Sequence, residues 1–588
     1  MELINSKWFT LVTFLLVFGL LFSGCAPKEA TIVSESAAEE TAVPQAEESE
    51  SAAAGESQIV IVIPEDPPSF NASLSDTGYD ALVMELVMLG LADLDPEGNV
   101  FPELASELPT VENGGVVADE ENGTMDVTWN LRTDITWSDG TPVSSDDVIF
   151  TYNALIDPEL GSWTQGIDYV DGIEKVDDDT FVIHYNTIYP GYLYQFGGEQ
   201  MAIWPSHYCD ATQGFSQWEC AHKPLSNGPY LMEEWVVGDH LTFVRNPTYY
   251  QKGKPAIDKI IVRIVPDGSV RKTMLINGDA DVDMWTTESM IHDLKDVTNV
   301  EISTSPNNRW VMRLFMNLAA RGTTDSQATP HPILSDVRVR RAIRMAIDVE
   351  ELSNEIFLGY SKPVWTEFFR EPYVCDVPQP KYDPEAAKAL LEEAGWIDQD
   401  NDGVRECHGC TSAKEGDLME MELITYAEYG ELLELTQQLI GEMLGEIGMK
   451  LNLSIMEGSV MWATSAEGGI EQTGNFDINL WDDGYFGNDP TDFLWELYYS
   501  GAAVPDMGWN VGRWINEDFD ALLDQTYTLD ETARKDLFCQ MATILDEEVP
   551  VILLFSAINA DTHSTRLVGV QSTINDLVTW NAADWTLK

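Results

Sequence analysis

The chain has 588 residues, of which 100 are acidic and 32 are basic, so its formal net charge is −68. This balance argues against nucleic acid and anionic lipid surfaces as partners, because binding to phosphates requires a basic surface that displaces counterions. Hydrophobic residues make up 44% of the chain, which is enough for the cores of two or three domains.

The N-terminal segment has the pattern of an export signal. An uncharged apolar run from Trp8 to Phe22 follows Lys7, and small residues precede Cys25. The run is short for a membrane-spanning helix and has no basic flank after it. The pattern resembles a bacterial lipoprotein signal, in which residues 1–24 are removed and the Cys25 thiol is acylated. An ordinary secretory signal with an incidental cysteine is the alternative.

Residues 25–57 have the composition of a tether. From Ala26 onward Ala, Ser, Thr and Glu dominate, and no aromatic residue occurs. Such a segment cannot bury enough apolar surface to offset the entropy lost on ordering. We expect a disordered acidic tether that holds a soluble, extracytoplasmic body close to a membrane to which it is lipid-anchored. We find no later apolar run long enough to span a bilayer.

Of the seven cysteines, six remain once Cys25 is acylated, namely Cys209, Cys220, Cys375, Cys407, Cys410 and Cys539. An even set outside the cytoplasm suggests disulfides. Cys209 and Cys220 could close a short local loop, while the other pairings stay open. The spacing of Cys407 and Cys410 also suits zinc or redox chemistry. A structural zinc site needs four ligands, however, and the sequence has no second pair of this kind, so we favour a disulfide.

In the first half of the body, the sequence pattern predicts several strands and one helix. The β-branched run Ile59–Ile63 ends at Pro64, which is typical of a buried strand. Alternation over Met125–Leu131, followed by a Ser-Asp-Gly-Thr-Pro turn, predicts an antiparallel hairpin-like unit. Ser144–Asp147 then supplies the N-terminal caps of a helix. Further strands are expected at Phe181–Tyr185, Leu241–Phe243 and Ile257–Val265.

Helical spacing dominates later in the chain. Helices are expected over 336–347 with Ser335 as a cap, over 383–394 with Gly395 as a stop, and over 432–447 with Gly448 as a stop. Strands are expected at Leu451–Ile455, Phe476–Leu480 and Val549–Phe555. Helix-to-strand units of this kind indicate an α/β fold.

Several short motifs follow one another in a fixed order. They are Phe-Pro-Glu-Leu-Ala at 101–105, Thr-Trp-Asn-Leu-Arg at 128–132, Trp-Ser-Asp-Gly-Thr-Pro-Val at 137–143, Asn-Gly-Pro-Tyr at 227–230, Arg-Asn-Pro-Thr-Tyr-Tyr at 245–250, Gly-Asp-Ala-Asp-Val-Asp at 278–283, Val-Arg-Val-Arg-Arg-Ala-Ile at 337–343 and Asn-Phe-Asp-Ile at 475–478. This set resembles the signature of family 5 extracellular solute-binding proteins, the receptors of peptide and nickel ABC importers. The resemblance runs from about residue 59 to residue 556.

The resemblance implies a two-lobed, periplasmic-binding-protein-like α/β fold with an extra inserted domain, which encloses a ligand when its lobes close. Domain I is implied at 58–90, 222–315 and 546–588, domain II at 91–221, and domain III at 316–545. It further implies a monomeric receptor that captures oligopeptides or dipeptides and delivers them to an ABC permease driven by an ATPase. A receptor for oligosaccharides or chelated nickel, a secreted hydrolase and a sensory or scaffolding receptor are the alternatives.

The stretch after the strand at 476–480 is the strongest candidate for the ligand site. Trp481, Asp482, Asp483 and Tyr485 would stand where an open α/β sheet presents its ligand crevice. In peptide-binding relatives a Trp here is followed by an Asp that pairs with the α-amino group of the peptide. Trp481 matches, but the ungapped equivalent of that Asp is Gly484, so Asp482 or Asp483 would have to replace it. A solvated acidic loop beside a core Trp is the alternative.

Phe70 and Asn71, just after the first strand, are candidates for the facing wall of the cleft. The chain also has 18 Trp, and aromatic faces stack on sugars, which keeps an oligosaccharide as the second choice of ligand. We find neither a His-Glu-x-x-His motif nor a Gly-x-Ser-x-Gly elbow, so no catalytic residue is assigned and no enzyme is expected.

One acidic turn resembles half of a calcium loop. Asp398, Asp400 and Asp402 take positions 1, 3 and 5, and Gly403 takes position 6. The twelfth position is Gly409, so the usual bidentate Glu is missing. No cofactor is required, and calcium at this turn is an open alternative to a plain Asp-rich turn.

Overall fold

The computed structural model describes residues 57–72, 78–156, 166–197, 202–210, 218–305, 309–427, 430–556, 560–573 and 577–588. The predicted signal peptide, Cys25 and nearly all of the predicted tether lie outside these residues. Within the described ranges, no helix has the length and apolar character needed to cross a bilayer.

The described α-helices are, in chain order, Tyr79–Val87 (α1), Ser145–Leu155 (α2), Gly268–Asn277 (α3), Glu288–Leu294 (α4), Val337–Ala346 (α5), Val349–Phe357 (α6), Pro384–Glu393 (α7), Glu431–Glu446 (α8), Gly458–Met461 (α9), Thr491–Tyr498 (α10), Glu517–Leu523 (α11) and Glu531–Glu548 (α12). Ser144 is the N-cap of α2, within the predicted cap segment, and it forms a capping box with Asp147. The cap of α5 is Asp336, whose carboxylate accepts the N–H of Arg338 at 2.9 Å, so the assignment to Ser335 is wrong by one residue.

The described strands are Gln58–Ile63 (β1), Ala92–Leu94 (β2), Val100–Pro102 (β3), Val116–Asp119 (β4), Thr124–Asn130 (β5), Val170–Lys175 (β6), Thr180–Tyr185 (β7), Tyr230–Val236 (β8), His240–Arg245 (β9), Lys259–Ile264 (β10), Val282–Thr286 (β11), Val300–Thr304 (β12), Val311–Met316 (β13), Trp396–Ile397 (β14), Glu406–Cys407 (β15), Glu420–Tyr426 (β16), Lys450–Met456 (β17), Ile478–Asp483 (β18), Val551–Ser556 (β19), Ala560–Ser564 (β20), Leu567–Val568 (β21) and Thr586–Leu587 (β22). The two largest sheets organise the molecule.

The first large sheet has the order β12-β20-β11-β1-β10-β9-β8. Strand β1 lies parallel to β10 and β11, so it is covered on both edges, as its continuous apolar sequence predicts. A smaller sheet, β4-β5-β7-β6, comes from the chain between β1 and β8. Side chains of both sheets share one hydrophobic core, which includes Ile61, Trp129 and Phe243. We call the two sheets and this core the first lobe.

The second large sheet has the order β17-β16-β18-β13-β19. Strands β16, β17 and β18 are parallel, and β13 runs antiparallel between β18 and β19. A separate core, with Leu314, Leu423 and Leu480 at its centre, joins this sheet to the helices around it. We call this part the second lobe.

The chain crosses between the large sheets in two places. Strand β12 ends at Thr304 and β13 begins at Val311, while β19 ends at Ser556 and β20 begins at Ala560. Strands β13 and β19 therefore belong to the second lobe, which differs from the predicted boundaries at 315/316 and 545/546. The apolar sequences of these two strands suit either sheet, so only their pairing assigns them.

Three disulfides link the six cysteines after Cys25. The predicted local bridge Cys209–Cys220 is present, and Cys407 pairs with Cys410 rather than presenting thiolates to a metal. The third bridge, Cys375–Cys539, joins residues 164 positions apart. It ties the segment between α6 and α7 to α12 within the second lobe.

Candidate functional site

The end of β18 is the centre of the candidate site. The strand does not stop at Leu480, as the sequence pattern suggests, but continues through Asp483, which pairs with Val311 at the start of β13. Trp481 is only 8% exposed, and its ring stacks on Phe315 with 4.6 Å between centroids. Trp481 thus supports the floor of the site mainly by packing, and its predicted contact with ligand stays a prediction.

Asp483 has an unusual electrostatic environment. It keeps partial exposure, yet burial raises the pKa of its carboxyl to about 7. Its Oδ1 accepts the N–H of Gly484 at 2.7 Å, and none of the ion pairs between described residues includes it. The charge of Arg313 lowers the pKa of this carboxyl, but its guanidinium donates to the backbone carbonyl of Asp483 rather than to the carboxylate. A carboxylate that is desolvated but unpaired can bind a cationic group through a charge-assisted hydrogen bond.

Gly484 cannot carry the acid that the resemblance implies at this position. A Cβ atom at this position would lie 1.6 Å from the carbonyl oxygen of Arg309. Backbone cannot give way as a flexible side chain does, so no carboxylate can be carried here. Asp483 is the nearest position along the chain that can present one.

Asp482 and Tyr485 are held by the protein itself. Asp482 is 5% exposed and accepts a hydrogen bond from the Tyr426 hydroxyl at 3.2 Å. The Tyr485 hydroxyl donates to the backbone carbonyl of Glu367 at 3.1 Å, and the guanidinium of Arg370 lies 4.3 Å from the centre of its ring. Both residues shape the loop after β18, and their contact with ligand remains a prediction.

A buried ion pair lies beneath this loop, and sequence reasoning missed it. Arg313 Nη2 donates to Glu367 Oε2 at 2.7 Å, and neither residue is exposed. The Tyr498 hydroxyl donates to the other oxygen of Glu367 at 2.6 Å. The sequence feature that could have revealed the pair is Arg313 inside the apolar strand Val311–Met316. A charged side chain in such a strand requires a buried partner. The pair anchors the backbone of Asp483 to the second lobe.

The predicted residues of the facing wall lie in the first lobe. Phe70 is fully buried and makes edge contacts with Trp235 at 5.7 Å and Phe243 at 6.2 Å between ring centroids. Asn71 is 1% exposed. Phe70 therefore has a core role in this structure, and the contact of either residue with ligand stays a prediction.

Contacts between the lobes follow the candidate site directly along the chain. The amide of Asn488 donates to the carbonyl of Gly98 at 3.0 Å, and the Tyr189 hydroxyl donates to Asp492 at 2.9 Å. Gly487 packs against the Tyr194 ring, where a Cβ would lie 2.3 Å from the nearest ring carbon. The segment from Asp483 to Asp492 thus belongs to the second lobe and also contacts the first lobe.

The acidic turn gathers one more carboxylate than its sequence spacing indicates. Asp398, Asp400, Asp402 and Glu406 can each offer an oxygen, and these oxygens lie within 4.8 Å of one another. Among the described residues this is the one group with metal-ligand chemistry. Backbone N–H groups already bond Asp398, Asp400 and Asp402, as in a plain Asp-rich turn. Calcium binding stays a prediction, which calorimetry with Ca²⁺ on chelator-treated protein would test.

A cavity of about 370 Å³ lies elsewhere on the second lobe, lined in part by Arg344, Trp365 and Tyr382. It also touches Ile552, which pairs with Leu314, three residues along β13 from the partner of Asp483. That separation is ~10 Å along the strands. Asp483 stays the candidate for the ligand site rather than this cavity, because the strand end, the crossover and the interlobe contacts lie close together in the chain there.

Comparisons with known proteins agree with this architecture. Residues 99–504 match the model of the bacterial extracellular solute-binding proteins, family 5 Middle. The peptide transport periplasmic protein SapA of Salmonella typhimurium is 22% identical over 90% of this chain and 92% of its own length.

Two solved structures share the fold. NikA from Brucella suis in complex with Fe(III)-EDTA superimposes with a TM-score of 0.75 at 20% identity, covering 90% of this chain and 100% of that one. AppA from Bacillus subtilis in complex with a nonapeptide gives 0.67 at 19% identity, covering 91% and 99%. The fold is therefore the two-lobed, periplasmic-binding-protein-like α/β fold, while the extra inserted domain stays a prediction. The family model spans well over half of the chain, and the chain accordingly belongs to the family 5 bacterial extracellular solute-binding proteins.

Proposed function

We propose that this solute-binding protein captures peptides with a free amino terminus in the cleft between its lobes and delivers them to an ABC permease driven by an ATPase. The observation that carries the proposal is Asp483, a desolvated carboxylate without an ion-pair partner among the described residues, at the carboxyl end of β18. An α-ammonium group would complete it, contributing ~1.5 to 3 kcal/mol through a charge-assisted hydrogen bond.

The relatives support the peptide class. SapA is named as a peptide transport protein, and other curated relatives are named oligopeptide-binding or di/tripeptide-binding proteins. Related structures also hold Ni(L-His) or Fe(III)-EDTA. We favour peptide over a chelate such as Fe(III)-EDTA because an unpaired carboxylate repels an anionic complex, whereas it attracts an amine.

Affinity selection from a pool of tetrapeptides tests the ligand class. The purified receptor is incubated with the pool at pH 8, and retained peptides are identified by mass spectrometry. We expect retention of free-amine peptides and at least about tenfold weaker retention of the same pool after N-acetylation. Chelated nickel and an oligosaccharide mixture are offered in parallel incubations, and retention of either one with no retention of peptide would overturn the proposal. Cleavage of the pool during incubation would instead support the hydrolase alternative.

The proposal includes a lipid anchor at Cys25, supported by the apolar run and the acidic segment that follow one another at the N-terminus. More than one acyl chain on this residue would anchor the receptor firmly, at ~0.8 kcal/mol per buried methylene. Cys25→Ser should release a folded protein from the membrane fraction. Persistent membrane association of that variant would show that the anchor is elsewhere.

A further inference from the structure

The ends of β11 and β18 face the same crossover between the lobes. Thr286 at the end of β11 pairs with Ala560, and Asp483 at the end of β18 pairs with Val311, which in turn pairs with Ser556. The Cα atoms of Ser556 and Ala560 can be at most ~14 Å apart, because four residue steps separate them. The end of β11 therefore lies on the first-lobe side of the same crossover that borders the end of β18.

The residue presented there is Trp285, and its backbone is strained. Its φ is 53°, a left-handed conformation that bulky side chains rarely adopt. The pairing of β11 with β20 shifts register between Asp283 and Thr286, which places Trp285 in an irregular part of the strand. Strain of this kind costs ~1 to 3 kcal/mol and persists where the surroundings enforce it, often at binding sites.

The surroundings of Trp285 are built to hold its indole. A Cβ on Gly78 would lie 2.1 Å from the indole Cη2 atom, so only glycine fits beside the ring. Tyr79, the first residue of α1, packs on it with 5.0 Å between ring centroids. The side chain stays partly exposed, and its buried Nε1–H has no hydrogen-bond acceptor among the described residues.

We propose that Trp285 is the first-lobe ligand contact opposite Asp483, and that the two residues together hold a protonated amine of the ligand. An aromatic face attracts a cation through its quadrupole, and a carboxylate neutralises the same charge. This inference rests on the proposed peptide function and adds to it a specificity residue in the facing lobe.

The test uses the full chain and the tetrapeptide pool with free or acetylated amino groups. Trp285→Ala should weaken binding of free-amine peptides at least about 30-fold, as expected for a buried aromatic contact. It should also lower the ratio between free-amine and acetylated binding, which a merely structural change would leave constant. Trp285→Phe keeps an aromatic ring and should retain most of the affinity.

Gly78→Ala provides an independent variant that leaves Trp285 in the sequence. The added methyl must displace the indole, so binding should fall about as far as in Trp285→Ala. Gly253→Ala is the matched control, since Gly253 has φ 87° and no atom within 4 Å of an added Cβ. It carries a similar backbone cost without touching a ring, and it should bind within about threefold of the parent.

The outcomes separate this inference from the proposal beneath it. If the parent protein binds no peptide, the proposed function fails and the inference fails with it. If the parent binds but both Trp285→Ala and Gly78→Ala bind within about threefold of it, only the inference is overturned. Should Trp285→Ala prove unfolded in a thermal melt, Gly78→Ala and Trp285→Phe decide the matter.

Discussion

Two aspartates stand near the ends of strands that approach the crossover from opposite lobes, and they are treated differently. Asp283 in β11 is fully buried, and Arg271 Nε donates to it at 2.8 Å. Asp483 in β18 has no such partner among the described residues. Burial raises the pKa of Asp283 to about 6, with Arg271 lowering it, and burial raises that of Asp483 to about 7, with Arg313 lowering it. Arg271 pairs with the first acid, whereas the second has no ion-pair partner among the described residues and is the proposed ligand contact.

The largest effect expected from this difference is on stability. Arg271→Met should lower the free energy of unfolding by ~3 to 5 kcal/mol, because it leaves the Asp283 charge buried without its partner. Lys272→Met is the control in the same helix, since Lys272 pairs with Asp293 at the surface and should cost ~1 kcal/mol or less. Urea denaturation of both variants gives the comparison. Equal losses would mean that the Asp283 pair has no special role.

Loss of the other acid should act on binding instead. Asp483→Asn should weaken capture of free-amine peptides about 10- to 100-fold, because the amide cannot neutralise the ammonium group. Calorimetry with a selected peptide measures this change. Asp134→Asn, at a side chain that is 60% exposed, makes the same change in net charge and should bind normally. A loss of affinity common to both variants would point to the overall field of the protein rather than to Asp483.

The pKa of Asp483 makes binding depend on pH. Below pH 7 the carboxyl becomes protonated, so affinity for free-amine peptides should fall up to about 30-fold between pH 8 and pH 5.5. The effect on stability has the opposite sign. A folded pKa above the unfolded value of ~3.9 means that protonation favours the folded state as pH falls through 7. The pH dependence of binding should disappear in Asp483→Asn, and its persistence there would assign it to another group.

The smallest effect is expected at the neighbouring acid. Tyr426→Phe removes the hydrogen bond to Asp482, which should cost ~1 kcal/mol of stability and change peptide affinity less than about threefold. A thermal melt and one calorimetric titration suffice. A larger loss of affinity would show that Asp482, rather than Asp483 alone, receives the ligand.

Much of the fold is predictable from local patterns. The β-branched run at 59–63 is the buried strand β1, and the Ser144 cap and the helix at 383–394 with its Gly395 stop occur where expected. These features depend on residues close together in the chain. The assignment of β13 and β19 to the second lobe depends on pairing across more than two hundred residues, which the sequence pattern does not contain.

The candidate site is predictable only in part, for the same reason. Trp481 to Tyr485 mark the region, but the roles of Asp482 and Asp483 depend on the partners that each finds in space. Arg313 and Glu367 are 54 residues apart. The indole of Trp285 packs against Gly78, a residue far earlier in the chain, where a larger side chain would displace the ring. A left-handed φ at a tryptophan has no sequence signature at all.

The bridge between Cys375 and Cys539 makes the integrity of one cleft wall a matter of redox environment. Closing so long a loop stabilises a folded state by ~5 kcal/mol in the chain-entropy view, and the whole of that gain falls on the second lobe. The first lobe holds only a short-range bridge between Cys209 and Cys220. In protein made in a reducing compartment, the second lobe, which carries Asp483, would thus lose more stability than the first lobe, which carries Trp285. Full binding would then require oxidation of the thiols.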